Sequence, residues 1–358
     1  MDDATPTPLP MVRGRAVGWN PPNRFERLHV SRDRWDDPDD PPPSTVLLKD
    51  ATRSILSFND SPDVGFDVGI NPYRGCEHAC AYCYARPTHE YLGYSAGLDF
   101  ETRILVKERA PDLLRAALSS RSWQPRTIAL SGNTDCYQPA ERRLRITRRC
   151  LEVLAEFQNP VGVITKSYLV SRDVDLLGEL ARHQAAAVVL SVTTLDPELQ
   201  RSLEPRASTP ARRLGAIRVL ADAGIPVGVN VAPVIPGLTD HEIPAILEAA
   251  ADAGASFAGM IMLRLPHGVK EIFEGWLRQH VPDRADKVLN RVRELNGGAL
   301  YDARFGVRGR GEGPWADQLR AVFRVQRDRL ALDRSPTLSA RSFRRPSDPG
   351  AMQTDLFV

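Results

Sequence analysis

The chain has 358 residues and a formal net charge of +2, from 47 Lys and Arg against 45 Asp and Glu. That length can bury one large α/β core or two small ones, and so even a balance excludes a global field for nucleic acid, leaving only a local basic footprint. No apolar run approaches a membrane span, and the acidic, proline-rich start Met-Asp-Asp-Ala-Thr-Pro lacks the apolar core of a signal peptide; the expectation is a cytoplasmic protein with no membrane partner.

In chain order, residues 1–45 carry Pro-Thr-Pro-Leu-Pro, Asn-Pro-Pro-Asn and Asp-Asp-Pro-Asp-Asp-Pro-Pro-Pro, too little apolar surface to offset the entropy of ordering, and read as an irregular arm. Arg15, Asn20, Asn23 and Arg24 either dock it on the domain or stay solvated. Over residues 46–281, short β-branched runs alternate with amphipathic stretches. The runs are Phe66–Ile70, Thr127–Leu130, Val161–Thr165, Ala187–Val192, Val227–Ala232 and Phe257–Leu263, each bounded by turn-forming residues as buried parallel strands are. Between them, Thr209–Ala223 reads as a helix with Thr209 as N-cap, Pro210 at the first position, Gly224 past the end, and Leu214, Ile217, Leu220 and Ala221 as its buried face. Six such β-α units predict an α/β fold, a partial (β/α)6 barrel with its site at the C-terminal ends of the strands. Residues 282–334 read as a helical, arginine-rich extension and residues 335–358 as a flexible tail.

The most informative stretch is Asn71–Arg86, which spaces Cys76, Cys80 and Cys83 as C-x3-C-x2-C. Three thiolates can hold three irons of a [4Fe–4S] cluster and leave the fourth iron open. Zinc is the rival reading, and only His78 or His89 stands close enough in sequence to complete its four ligands. Five cysteines make a disulfide network the weakest alternative.

With Tyr82 before the last cysteine, this motif resembles the signature of the radical S-adenosylmethionine (SAM) enzymes. Gly14–Arg15, Asn23–Glu26, Asn71–Gly93 and Thr134–Glu141 (T-D-x-Y-Q-P-x-E) resemble the spore photoproduct lyase-like, or DNA repair photolyase-like, branch over roughly residues 13–330. The resemblance implies a radical SAM barrel with a [4Fe–4S] cluster on Cys76, Cys80 and Cys83. SAM would be cleaved reductively to a 5′-deoxyadenosyl radical, with electrons from a flavodoxin or ferredoxin. It also implies that the Ser131-Gly132-Asn133-Thr134-Asp135 loop binds the SAM amino group and that Lys166, which ends the third run, meets its carboxylate.

Other candidates come from strand-end position. Ser191, Thr193 and Thr194 either meet the ribose or cap a turn, and Asn230, an amide inside an apolar run, needs partners that a cofactor or an internal hydrogen bond would supply. Tyr82 and its neighbouring tyrosines are packing residues or, for one of them, a stacking surface for adenine or a base. Cys136 is either a hydrogen-atom donor, as the resemblance suggests, or a small core residue; Cys150 shares a helical face with Ile146, Val153, Leu154 and Phe157 and reads as core.

Three functions compete: a radical SAM enzyme acting on damaged DNA or another nucleic acid, one acting on a small molecule or peptide, and a non-catalytic metal protein. The segment 306–345, with ten arginines against four acids, is either a phosphate-binding field or a solvated helix face. The terminal Gln353-Thr354-Asp355-Leu356-Phe357 resembles the peptide by which bacterial repair proteins dock on the DNA sliding clamp.

Overall fold

Val-, Ile- and Leu-rich runs with no polar face become strands only where both sides of a sheet are covered, and here a wall of helices covers one side. The computed structural model describes residues 12–26 and 43–346. Ten strands follow in order: β1 (Val46–Lys49), β2 (Leu56–Phe58), β3 (Val68–Ile70), β4 (Tyr73–Arg74), β5 (Arg103–Val106), β6 (Ile128–Leu130), β7 (Val161–Thr165), β8 (Ala186–Val192), β9 (Val227–Val234) and β10 (Phe257–Met262). Seven of them form one sheet in the order β10-β9-β8-β7-β6-β3-β2; β2 pairs antiparallel and the other six run parallel. These six are the expected runs, so the architecture is the partial (β/α)6 barrel, followed by helices Val269–His280, Pro282–Leu295 and Pro314–Arg329.

The two faces of the sheet differ. Val161, Val163, Val188, Leu190, Val229 and Val231 point outward into one large apolar core with the helices. The inner face carries small residues: Gly69, Ala129, Gly162 and Ala187 are cross-strand partners in a continuous row on β3, β6, β7 and β8. A Cβ added at Gly162 would meet no atom within 4 Å. The barrel is hollow at that level.

Several expectations change. A second sheet, β1-β5-β4, was not anticipated; β4 has two residues and β1 is half-exposed, too short for an alternating pattern to stand out. The helix Pro210–Asp222 begins where expected, but Thr209 makes no side-chain cap, and Arg213 joins Ala216, Ile217 and Leu220 on the buried face while Leu214 and Ala221 are only half-buried. The first arm segment is irregular yet docked. Arg15 donates to the Glu101 carbonyl at 2.7 Å, Asn20 exchanges hydrogen bonds with Asp99, Asn23 donates to the Glu90 and Tyr94 carbonyls at 2.9 Å, and Arg24 pairs with Glu90 at 2.7 Å.

Residues 335–346, expected in a flexible tail, lie across the N-terminal ends of the strands. Ser339 N donates to Gln184 O and Arg344 N to Phe157 O, both at 2.9 Å, and the Arg345 guanidinium reaches Ser120 O and Trp123 O. Carbonyls left free at and just past helix C-termini accept these bonds, which is why a proline- and arginine-rich segment orders there. Of the ten arginines in 306–345, Arg308, Arg320, Arg327 and Arg329 pair with Asp63, Asp317, Asp328 and Glu248, and Arg344 and Arg345 hold backbone carbonyls. Only Asp63 and Glu248 come from outside the segment, so its positive balance falls by two charges, and the strap carries Arg344 and Arg345 away from the barrel mouth. Gln353–Phe357 lie outside the described residues.

Candidate active site

The cysteine loop starts just beyond β3 and β4. Gly75 adopts φ +80°, and a Cβ there would stand 3.0 Å from Arg103 O, His89 Cε1 and Ile104 Cδ1, so only glycine fits. Cys76 N donates to Phe100 O at 2.9 Å and Ala81 N to Leu203 O at 3.0 Å, fastening the loop at both ends. Arg86, fully buried, gathers it from below: Nε and Nη2 donate to Cys80 O, Nη1 donates to Ala96 O and Gly97 O, and Nη2 pairs with Glu101 at 2.5 Å.

All five cysteines are free thiols. Burial pushes the Cys76, Cys80 and Cys83 thiols up, so a cationic centre has to draw off their protons before they ligate. The two histidines offered for zinc are each engaged through one ring nitrogen: His78 Nδ1 faces Asp135 Oδ2 at 3.3 Å and His89 Nε2 faces Arg103 O at 3.0 Å. Three free cysteines spaced C-x3-C-x2-C in one loop fit a [4Fe–4S] cluster with one open iron.

Facing the loop, the inner wall of the barrel carries Lys166, Ser191 and Asn230. Thr165 is the partner of Leu190, and Ser191 is the partner of Asn230, which in turn pairs with Gly259; the three polar residues therefore sit side by side at the ends of β7, β8 and β9. Lys166 Nζ donates to Ala232 O at 3.3 Å, lies 5.8 Å from the Tyr82 ring centre, and its charge reaches Cys80. Neither the Ser191 hydroxyl nor the Asn230 amide has a hydrogen-bond partner among the described residues, and a Cβ at Gly259 would press on Asn230 Oδ1 at 3.1 Å. Small residues beside them keep this row open.

The 131–135 loop is bound more tightly into the protein. Ser131, at φ +86°, donates through Oγ to Thr134 O at 2.7 Å, Gly132 O accepts from the Tyr84 hydroxyl at 2.7 Å, and exposed Asn133 is held only by its backbone N on Asn71 Oδ1 at 2.8 Å. Asp135, expected as an acceptor for the cofactor, is instead surrounded by protein donors: Oδ1 takes Thr165 Oγ1 and Tyr137 N, and Oδ2 takes Lys166 N and faces His78. Burial alone would raise its carboxyl, but His78 and these bonds outweigh it and hold the pKa at about 2. It ties the cysteine loop to the end of β7.

Thr193 and Thr194 are likewise engaged, Thr193 with Glu204 and Ala232 O, Thr194 with Glu242 at 2.6 Å. The Tyr82 hydroxyl turns away from the chamber to Glu204 and Thr193, leaving its ring toward Lys166. Cys136 is wholly buried in the outer core, beside the Thr147 hydroxyl on its carbonyl, and Cys150 lies in the same core.

Sequence reasoning missed the buried pair Arg213–Glu204 beneath Tyr82. One signal was present: Arg213 stands three and seven residues before Ala216 and Leu220, on the apolar stripe. It also missed Arg86–Glu101, for which only the unbroken run after Cys83 gave a hint.

A partial (β/α)6 barrel with a three-cysteine loop over its mouth and a polar row at its strand ends defines a class of scaffold for cluster-dependent cofactor chemistry. The chain matches the model of the Radical SAM superfamily over residues 70–250, more than half its length, and belongs to that family, whose members use a [4Fe–4S] cluster and SAM. An uncharacterized protein of Mycobacterium tuberculosis is 38% identical over 252 residues, 70% of this chain and 72% of the relative. An uncharacterized protein of Methanocaldococcus jannaschii is 31% identical over 185 residues, 52% of this chain and 67% of the relative. Among solved structures, a spore photoproduct lyase complexed with dinucleoside spore photoproduct superposes with a TM-score of 0.57 at 17% identity, covering 79% of each chain. A mutant of that lyase with bound AdoMet and the same dinucleoside gives 0.57 at 18% over the same shares. At these identities the likeness is one of fold. No helix among the described residues is long and apolar enough to cross a membrane.

Proposed function

We propose that this chain is a radical SAM enzyme that acts on a damaged base in DNA or another nucleic acid. The observation that carries the reading is that Lys166, whose charge reaches Cys80 and Cys83, stands in one row with Ser191 and Asn230 on the inner wall of the barrel. Cysteines alone would serve an electron carrier; such a carrier has no use for a polar row with unfilled hydrogen-bonding capacity.

The three cysteines would hold the cluster and Lys166 the SAM carboxylate, with Ser191 and Asn230 toward the rest of the molecule. When bound and reduced by one electron from a flavodoxin- or ferredoxin-like donor, this group supplies a 5′-deoxyadenosyl radical. The protein's own part is positioning and exclusion. Asp135 fixes the start of the β7 turn, Arg86 and the Glu204–Tyr82 contact fix the cysteine loop, and the apolar outer core keeps bulk water from the chamber.

The nucleic-acid substrate is supported by the fold shared with a lyase solved with a dinucleoside photoproduct and by Arg13, Arg15, Arg143 and Arg206, which line a cavity of about 580 Å³ against Glu77 of the cysteine loop. A small molecule or peptide remains the second reading, favoured by the neutral overall charge. Anaerobic reconstitution with iron and sulfide, followed by SAM and dithionite, should give 5′-deoxyadenosine; ultraviolet-damaged and undamaged oligonucleotides then separate the substrate classes. Stoichiometric zinc without iron, or no SAM cleavage, refutes the enzyme reading; cleavage that damaged DNA neither accelerates nor consumes refutes the substrate.

The Gln353–Phe357 peptide extends the proposal to a sliding-clamp partner on sequence resemblance alone. A synthetic peptide of residues 350–358 should bind the clamp, and replacing Leu356 and Phe357 by Ala should abolish binding.

A further inference from the structure

A cavity of about 400 Å³ lies where β1 and β5 end and the helix Ala110–Ser119 begins, lined by Lys49, Asp50, Arg53, Lys107, Glu108 and Arg109. None of these residues belongs to the cysteine loop or the polar row. Lys107 is the unusual member. Its backbone N is fixed on Pro72 O at 3.0 Å, its side chain is only 7% exposed, and its ammonium has no ion-pair or hydrogen-bond partner among the described residues.

The nearby acids are engaged elsewhere. Asp50 accepts from Thr52 N at 2.8 Å on one oxygen, its other oxygen has no hydrogen bond but lies 2.9 Å from the Arg74 guanidinium in an ion pair, and Glu108 stands 3.9 Å from Lys49. Arg53 and Arg109 have no carboxylate partner among the described residues. Burial, and secondarily the Arg74 charge, lowers the Lys107 pKa against a smaller opposing pull from Asp50. A largely buried lysine whose ammonium meets only the cavity's solvent is stabilised when an anion joins it. The helix beside it starts without a side-chain cap, so the positive end of its dipole adds to the same preference.

We propose that this cavity binds a phosphate-type oxyanion, with Lys107 as the central contact and Arg53 and Arg109 at its rim. Four cations against two acids suit an oxyanion with several acceptor oxygens better than a single carboxylate. The group is either a free phosphate or one phosphodiester of a nucleic acid strand, and the site stands independently of the SAM chemistry.

The test uses the full-length, cluster-reconstituted protein. Thermal unfolding is followed with sodium phosphate and with sodium chloride at matched ionic strength, and binding of a short single-stranded oligonucleotide is measured with and without competing phosphate. Phosphate should raise the unfolding midpoint where chloride does not. Lys107→Met should lose about tenfold or more in phosphate affinity while melting no lower than wild type in phosphate-free buffer, because it removes an unpaired buried charge. Arg53→Gln, an exposed change, should weaken phosphate without altering cluster absorbance. Phosphate stabilisation with no oligonucleotide competition identifies a free anion; oligonucleotide binding that phosphate displaces and Lys107→Met weakens identifies a strand. Equal responses to phosphate and chloride, or phosphate affinity unchanged in both variants, overturn the proposal. Neither variant touches the cysteine loop or Lys166, so failure here leaves the SAM reading standing.

Discussion

Replacing Arg86 by Met tests how the cysteine loop is held. Arg86 is fully buried, donates to the carbonyls of Cys80, Ala96 and Gly97, pairs with Glu101 at 2.5 Å and lies 5.4 Å from the Phe100 ring centre. Removing it strands a buried carboxyl and three carbonyls together. Breaking one member of a buried pair costs about 3–5 kcal/mol, a large share of the roughly 5–15 kcal/mol that keeps a domain folded. Replacing both partners, Arg86→Met with Glu101→Leu, should recover much of that loss, because the stranded charge is gone. Glu101 Oε2 already lacks a partner, and burial pushes this carboxyl up even with Arg86 beside it. Without Arg86 a raised folded pKa means that the folded state prefers the protonated acid, so the single variant's penalty should shrink as pH falls and grow as it rises. Urea unfolding of the metal-free protein at acid and alkaline pH measures both trends, and anaerobic iron uptake reports the loop itself. A single variant losing under about 1 kcal/mol, or a double variant no more stable than the single, would refute the assignment of Arg86 as the buried anchor.

Further outcomes follow from single groups. Lys166→Ala should weaken SAM binding by about tenfold or more and leave cluster absorbance intact; equal SAM affinity removes Lys166 from the site. Cys136→Ala should cost about 1–2 kcal/mol through a small core void and leave 5′-deoxyadenosine formation unchanged; a misdirected product with unchanged stability would instead place the thiol in the chamber. Burial holds the His89 imidazole at a pKa of about 4, below its unfolded value near 6.5, so the folded form requires it neutral. That contribution is fully present above pH 6.5 and lost as pH falls toward 4, roughly 3 kcal/mol in all; a His89→Gln variant whose stability falls as steeply over that window would exclude His89 as the cause.

The six barrel strands were legible because each is a β-branched run buried on one face by helices and closed by Gly, Pro, Asn or Ser. β1, β2, β4 and β5 were not, since two to four half-exposed residues carry no period. Among site residues, strand-end position located Lys166, Ser191 and Asn230 on one wall, because register follows from the parallel sheet. It could not tell which polar groups the protein itself would use. Asp135, Thr193 and the Tyr82 hydroxyl are consumed by His78, Lys166 N, Glu204 and Ala232 O, partners far away in sequence. Charged helix residues are hard to place for the same reason: Arg213 stands on an apolar stripe, but its partner Glu204, nine positions earlier, lies outside that helix.

The hollow layer formed by Gly69, Ala129, Gly162 and Ala187 lies below the level of Lys166, Ser191 and Asn230 on the same inner wall. Chamber size and the proposed cofactor contacts are therefore written in different residues. A methyl group at Gly162 enters open space and shortens the chamber without moving any group that faces the cysteine loop. On the proposed function, a change at Gly162 should therefore alter which substrate fits while leaving SAM cleavage as it was, so a shared cysteine loop would be a poor guide to a shared substrate.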